Sequence, residues 1–495
     1  MFKLEEAYPK IDLPKDLKKL DKKYPLLKPF ASARVFYNHT TEEVEYEIIE
    51  PKLSEKEKGI LEKLHQGLLQ IIDLSPDNVE SQEKLIAYLE KKMDYLIKEY
   101  GIKISREDYQ KILYFVYRDF VGLNEIEAIM HDEYIEDLNC NGTKTPIYVK
   151  HRILGNLKTN VFFDDPDNLK NFIIKLAQRC DRYITYSDPF LEGSLPDGSR
   201  VQGTISDEVS PRGPNFSIRK FRHVPFSPTE LLQEKTISSN ALAYLWYLIE
   251  HGANILIIGG AGAGKTTLLN VIAGFVPENS KIVSIEDTHE IKLFHENWTA
   301  TVARASMGGM RLGEVDLEKL LRESFRENPD YVLVGEVRGK ETYIMFQGMA
   351  SGHPTMATFH SENIDSVLNR LKTPPINLPP ALIELLDVII TIDKIESGNN
   401  LIRRVSKVEE FREIDQKTEK AVTNTISLWN SKDDSFSDSQ ESLTLRSLAE
   451  KSGKDLKEVE KEIKKRKSFL ETLAKNKVFD IYDVHKKIQD YYSKI

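Results

Sequence analysis

The 495-residue sequence predicts an α/β protein in which an α+β N-terminal domain precedes a mainly parallel sheet wrapped by helices. Three observations lead there. The length exceeds what one hydrophobic core organises, so two or three domains are expected. From Ser239 to Phe359, short apolar runs alternate with helical patterns, the signature of parallel strands joined by crossover helices. Within that stretch, Gly259-Gly260-Ala261-Gly262-Ala263-Gly264-Lys265-Thr266 spells G-x-x-x-x-G-K-T between a strand-like run and a helix-like one.

The elements follow in order. Residues 1–50 contain two short strands, Ala33–Tyr37 and Val44–Ile49. Ser54 with Glu57 makes a capping-box start for a helix that carries Ile60, Leu61, Leu64, Leu68, Leu69 and Ile72 at helical spacing. A second helix runs from about Gln82 to Tyr100 with Leu85, Leu89, Met93 and Ile97 on one face. Ser105 and Glu107 introduce a third, which buries Ile112, Phe115 and Val116. From Tyr134 the texture changes to strands, Tyr134–Asn139 and Ile147–Lys150, and a helix near Pro166–Cys180. Pro196-Asp197-Gly198 is a hairpin-type turn into the strand Arg200–Ile205. The segment from Arg212 to Arg222 is basic and apolar by turns; as a strand it puts Lys220 and Arg222 on one face and Arg219 on the other.

These shifts of texture divide the chain into 1–130, a β-rich piece with a helical region; 131–222, an α+β domain with a basic edge strand; 223–229, a Pro-containing linker; and 230–495. The last part reads as helix Ser239–His251, strand Asn254–Ile258, a helix to Gly274, strand Lys281–Ile285, helix Asp316–Glu327, strand Tyr331–Val334, helix Lys340–Ser351 and strand Thr355–Phe359. Val388–Ile395 and Leu401–Val405 read as a hairpin turning at Gly398-Asn399-Asn400, residues 430–442 as a surface loop, and the tail from Leu443 as helical. In such a sheet a ligand sits at the carboxyl ends of the strands.

Composition narrows the function classes. With 40% apolar and 30% charged residues the chain is an ordinary soluble protein, and a formal charge of −9 argues against a surface that coats nucleic acid. No stretch approaches the ~18 apolar residues of a membrane span. Cys140 and Cys180 are too few for a disulfide framework or a four-cysteine zinc site. The first ten residues carry mixed charge and no apolar stretch, so no secretory signal is expected and a cytoplasmic location is the default.

The glycine-rich segment carries the chemistry. Its backbone N–H groups and the following helix N-terminus wrap a phosphate chain, with Gly259, Gly260, Ala261, Gly262, Ala263, Gly264, Lys265, Thr266 and Thr267 as the contact run. Lys265 reaches the β- and γ-phosphates of ATP, and the Thr266 hydroxyl is offered to Mg²⁺. Hydrolysis also needs an acid near the metal and an ordered water. Glu286-Asp287 and Glu336 end two strands on that edge, so Glu286 and Glu336 are candidate metal partners, directly or through water, and candidate bases. His353 and His360 bracket the strand Thr355–Phe359 and are expected at the γ-phosphate.

The order of this P-loop, S-I-E-D-T, V-G-E-V-R-G and S-G-H-P-T-M-A-T-F-H resembles the Walker A, aspartate box, Walker B and histidine box of the type II/type IV secretion ATPase superfamily. L-P-D-G-S-R, F-S-I-R-K-F and H-E-N-W resemble its archaeal branch, which contains pilus-assembly and archaellum motor ATPases. The resemblance covers roughly Tyr134 to Arg404. It implies a RecA-like P-loop ATPase domain, a homo-hexameric ring, and work on a polytopic integral membrane platform from the inner face of the membrane, moving pilin or archaellin subunits. It also implies that N-domain arginines, here Arg200, Arg212, Arg219 and Arg222, approach the phosphates, with Arg304 and Arg338 as alternative fingers. Gly339 stands where many bacterial members carry Asp, and the bacterial cysteine quartet is absent. Two rival readings are a RecA-like nucleic-acid motor and a slow ATP-dependent assembly module; no nucleic acid is expected.

Overall fold

Two sheets organise the chain, each in its own unit, Met1–Phe221 and Arg222–Ile495. The computed structural model describes residues 4–6, 14, 16–72, 82–221, 224–304, 313, 315–397, 400–439 and 441–492.

The first unit is built on β1 (Glu5–Glu6), β2 (Asp21–Lys28), β3 (Ala31–Asn38), β4 (Glu43–Ile49), β5 (Ile135–Cys140), β6 (Tyr148–His151), β7 (Gly155–Thr159), β8 (Phe190–Ser194), β9 (Arg200–Thr204) and β10 (Asn215–Arg219). Their order is β1-β2-β3-β4-β7-β6-β5-β10-β9-β8. A short parallel pairing of β4 with β7, Glu45 to Lys158 and Tyr46 to Thr159, joins the strands before the helices to those after them. The sheet therefore runs across the division drawn at residue 130. A buried polar knot reinforces it: the hydroxyls of Tyr24 and Tyr46 each donate to Asp132 Oδ2 at 2.7 Å. The helices Glu55–Ile71, Gln82–Glu99 and Arg106–Phe120 follow, and Ser54 forms the expected reciprocal capping box with Glu57.

The second unit contains β11 (Ile255–Gly259), β12 (Ile282–Glu286), β13 (Trp298–Val302), β14 (Tyr331–Val337), β15 (Thr355–His360), β16 (Val388–Ser397), β17 (Asn400–Ile414), β18 (Ala421–Asn430) and β19 (Ser435–Asp438), in the order β13-β12-β14-β15-β11-β16-β17-β18-β19. The strands from β13 to β16 are parallel; β17, β18 and β19 extend the sheet antiparallel. Successive residues of β11 serve two different cores. Ile255 and Ile257 pack with Trp246 and Leu268 on one face, whereas Leu256 and Ile258 pack with Met345 and Leu368 on the other. Helices thus cover both faces, as an α/β sheet with continuous apolar strands requires.

Three expectations change here. The basic strand expected at a sheet edge is β10, which lies inside the sheet, paired with β5 on one side and β9 on the other. Ser227 caps the helix Pro228–Gln233, so Pro228 and Thr229 belong to a helix and not to a linker. Residues 435–438, read as loop, pair with β18 as an edge strand. The turn residues Gly398 and Asn399 lie outside the described residues.

Candidate functional site

The site lies at the carboxyl edge of the parallel strands. β11 ends at Gly259 beside His360 of β15, and β14 reaches the same edge with Val337 opposite Phe359. Gly259 is required by close approach, since a Cβ there would lie 2.3 Å from the Ile392 carbonyl oxygen on β16. Gly262 and Gly264 take φ of 69° and 100°, conformations that favour glycine. The left-handed Gly264 starts the helix Lys265–Ala273, and no side chain caps that helix. Ser54, Ser105, Asp165 and Ser238 do accept backbone N–H groups at theirs. The first turn after Gly264 is therefore left to an anion, where orphan N–H groups carry roughly half a positive charge.

Lys265 Nζ donates to the carbonyls of Gly259 and Gly260, both at 3.1 Å, and lies 3.5 Å from His360 Nδ1. Burial pushes its pKa down, against the opposing charge of Glu336. Glu336 sits in an irregularity of β14, where the pairing with β15 slips between Val334 and Val337. Such a bulge re-aims a side chain, here toward the P-loop lysine. Arg338 Nη2 donates to Glu336 Oε2 at 2.7 Å. Burial works against the Glu336 anion, but the hydrogen bond and charge of Arg338, with Lys265 and His360, outweigh it and hold its pKa below the ordinary value. An ionised carboxylate, an ammonium and an imidazole thus meet at one strand edge.

Glu286 and His353 depart from expectation. Glu286 Oε1 accepts the backbone N–H groups of Glu290 and Ile291 at 2.9 and 2.8 Å, and Oε2 lies 3.2 Å from His289 Nδ1. Its carboxylate turns back to hold the loop that follows β12. His353 precedes β15 and hydrogen-bonds the Pro329 carbonyl at 3.1 Å while stacking on Phe325. The six residues of β15 span about 20 Å, which puts His353 at the opposite edge from the P-loop. Only His360 of the pair reaches the site.

Residues 145–429 match the family described as "Type II/IV secretion system protein". The chain belongs to this family. The uncharacterized protein MJ0900 of Methanocaldococcus jannaschii is 34% identical over 98% of this chain and 92% of its own length. MJ1287 of the same organism is 40% identical over 53% of this chain and 97% of its own. The type IV secretion system protein PtlH of Bordetella pertussis is 29% identical over 48% of this chain and 80% of its own.

In this secretion-family chain the arginines singled out by sequence are divided between the units: Arg200, Arg212 and Arg219 lie in the first, and Arg222, Arg304 and Arg338 in the second. Arg219 of β10 is flanked across the sheet by Asp137 and Arg200, and its Nε donates to Asp137 Oδ1 at 3.1 Å. Arg212 is exposed in the segment before β10. In the second unit, Arg304 is exposed and donates to the Gly313 carbonyl at 2.8 Å. Arg222 lies outside the described residues.

One residue escaped the sequence reading. Arg403 of β17 donates from Nε to the Gly262 carbonyl at 3.2 Å, tying the P-loop to the β16–β17 hairpin. No local motif marks it; the contact exists because β16 lies beside β11 in the sheet. For Mg²⁺ the donor chemistry fits Thr266, next to Lys265, and the ionised Glu336, both hard oxygen donors. Glu286 engages both oxygens in the loop that follows β12.

Proposed function

We propose that the protein is a Mg²⁺-dependent ATPase that works as a homo-hexamer and converts ATP hydrolysis into motion between its two units. The observation that carries this reading is the meeting of Lys265, Glu336 and His360 at an uncapped helix N-terminus. The loop backbone and Lys265 bind the phosphates. Glu336, kept ionised by Arg338, orients the attacking water and accepts its proton. His360, beside Lys265, reads the γ-phosphate. Thr266 and Glu336 would hold Mg²⁺, which when bound would offset phosphate charge. Arg200, Arg212 and Arg219 add positive charge when the first unit closes on the nucleotide, so turnover and movement are coupled.

Membership of the secretion family supports a machine role at a membrane. Among the described residues no helix is long and apolar enough to cross a membrane. We infer a cytoplasmic motor docked on the inner face of the membrane against a polytopic platform protein, driving assembly or rotation of pilin- or archaellin-like subunits. Phosphate release and nucleotide binding test the chemistry. Lys265→Ala should weaken binding, whereas Glu336→Gln should keep binding and lower turnover by about 10²-fold or more. Unchanged turnover in both variants would overturn the assignment, and hydrolysis stimulated by DNA would favour a nucleic-acid motor instead.

A further inference from the structure

Away from the nucleotide edge, three metal-competent side chains meet at the far end of the P-loop helix. Glu278 follows that helix, His295 precedes β13, and His485 lies on the C-terminal helix Ile481–Tyr492. One donor atom from each lies within 4.8 Å of the donors of the other two. His485 Nε2 is 3.1 Å from Glu278 Oε2, close to the ~3.3 Å edge of a tetrahedron with metal–ligand bonds of about 2.0 Å. His295 is 4% exposed and His485 8%. His295 Nε2 pairs with the Val276 carbonyl at 2.8 Å, which fixes the proton there and leaves Nδ1 as a lone-pair donor. That buried Nδ1 has no hydrogen-bond partner among the described residues. The two rings meet edge-to-face with centroids 5.0 Å apart.

We propose that Glu278, His295 and His485 bind a divalent transition-metal ion of the zinc class. Two imidazoles and one carboxylate form a borderline donor set that suits Zn²⁺ and Co²⁺ over Mg²⁺ and Ca²⁺, which take oxygen. Burial and the neighbouring His295 push the pKa of His485 down, against the opposing charge and hydrogen bond of Glu278. Glu278 is 42% exposed at its side chain, which leaves access from solvent and a position for water as fourth ligand. The nine-residue helix Lys265–Ala273 is about 13 Å long, so this centre is separate from the phosphate site at its other end. The ion staples the C-terminal helix to the ATPase core. Gln489 already ties the same surfaces, accepting from the Glu278 N–H and donating to the Val276 carbonyl.

The test uses the full chain, stripped with chelator and free of nucleotide. Co²⁺ titration should give the visible d–d absorption of a low-symmetry site at about one ion per chain, displaced by Zn²⁺ and not by a thousandfold excess of Mg²⁺. Zn²⁺ at a hundredfold excess over Kd should raise Tm by about 5 °C or more. Glu278→Gln, at a half-exposed position, should weaken Co²⁺ binding at least tenfold, and His295→Gln should abolish the spectrum. Glu336→Gln, in the nucleotide site, should leave it unchanged. No stoichiometric Co²⁺ spectrum in the wild-type chain, or a spectrum that survives His295→Gln and Glu278→Gln, would overturn the proposal. So would one lost with Glu336→Gln.

Discussion

Glu410 offers a prediction whose size can be worked from the structure. This β17 carboxylate is fully buried and accepts from Tyr244 Oη and Asn424 Nδ2 at 2.8 Å, from the N–H groups of Leu443 and Thr444 at 3.0 Å, and from Arg412 Nη2 at 2.8 Å. The Ser442 hydroxyl adds another donor. Burial alone would raise its pKa, but this set of donors outweighs it and brings the pKa to about 2, against an ordinary 4.5. At about 1.4 kcal/mol per pH unit, the anion contributes at most about 3 kcal/mol. The folded pKa is depressed, so the contribution is complete above about pH 4.5 and is lost as pH falls toward 2. Glu410→Gln should therefore lower Tm of the second unit by about 6 °C at pH 7. The stability gap between wild type and variant, from urea unfolding, should be about 1 kcal/mol smaller at pH 4. A Tm change below about 1 °C, or a gap independent of pH, would refute the reasoning that this carboxylate anchors the helix Leu443–Ser452.

Three further outcomes concern the site. Arg212→Ala and Arg219→Ala should lower kcat while nucleotide Kd stays within about twofold, because their charge acts on the closed state; wild-type kcat in both would remove them from the chemistry. Arg403→Ala, which deletes one hydrogen bond to Gly262, should weaken nucleotide binding by about 3- to 10-fold, read by fluorescent-nucleotide titration, and an unchanged Kd would make that contact incidental. His353→Ala should leave turnover within about twofold and lower Tm slightly through the lost contact with Phe325; a large loss of turnover would show that this histidine reaches a nucleotide after all.

The parallel half of the second sheet was legible because its strands are buried on both faces. Ile255–Ile258 is an unbroken apolar run, as such a strand must be. The capping box at Ser54 and the P-loop before the helix at Lys265 were legible too, since caps and P-loops are contained in a few consecutive residues. β2, with Lys22, Lys23 and Pro25, and β8, with Glu192 and Gly193, carry no comparable pattern; they are strands because a neighbour pairs with them. β19 was hidden for the same reason, being Ser- and Asp-rich at the sheet edge.

By itself the sequence determined the local chemistry: glycines that permit the loop, the lysine and threonine that follow, and an acid at the end of a strand. The tertiary structure alone decided which of the similar candidates share a site. Glu336 faces Lys265 whereas Glu286 turns into its own loop, and His360 stands at the P-loop edge about 20 Å from His353. It also brought Arg403 to Gly262 and His485 to Glu278, across 141 and 207 positions of chain. Strand order and helix packing set those meetings, and they are encoded in pairings between distant segments that no local pattern spells out.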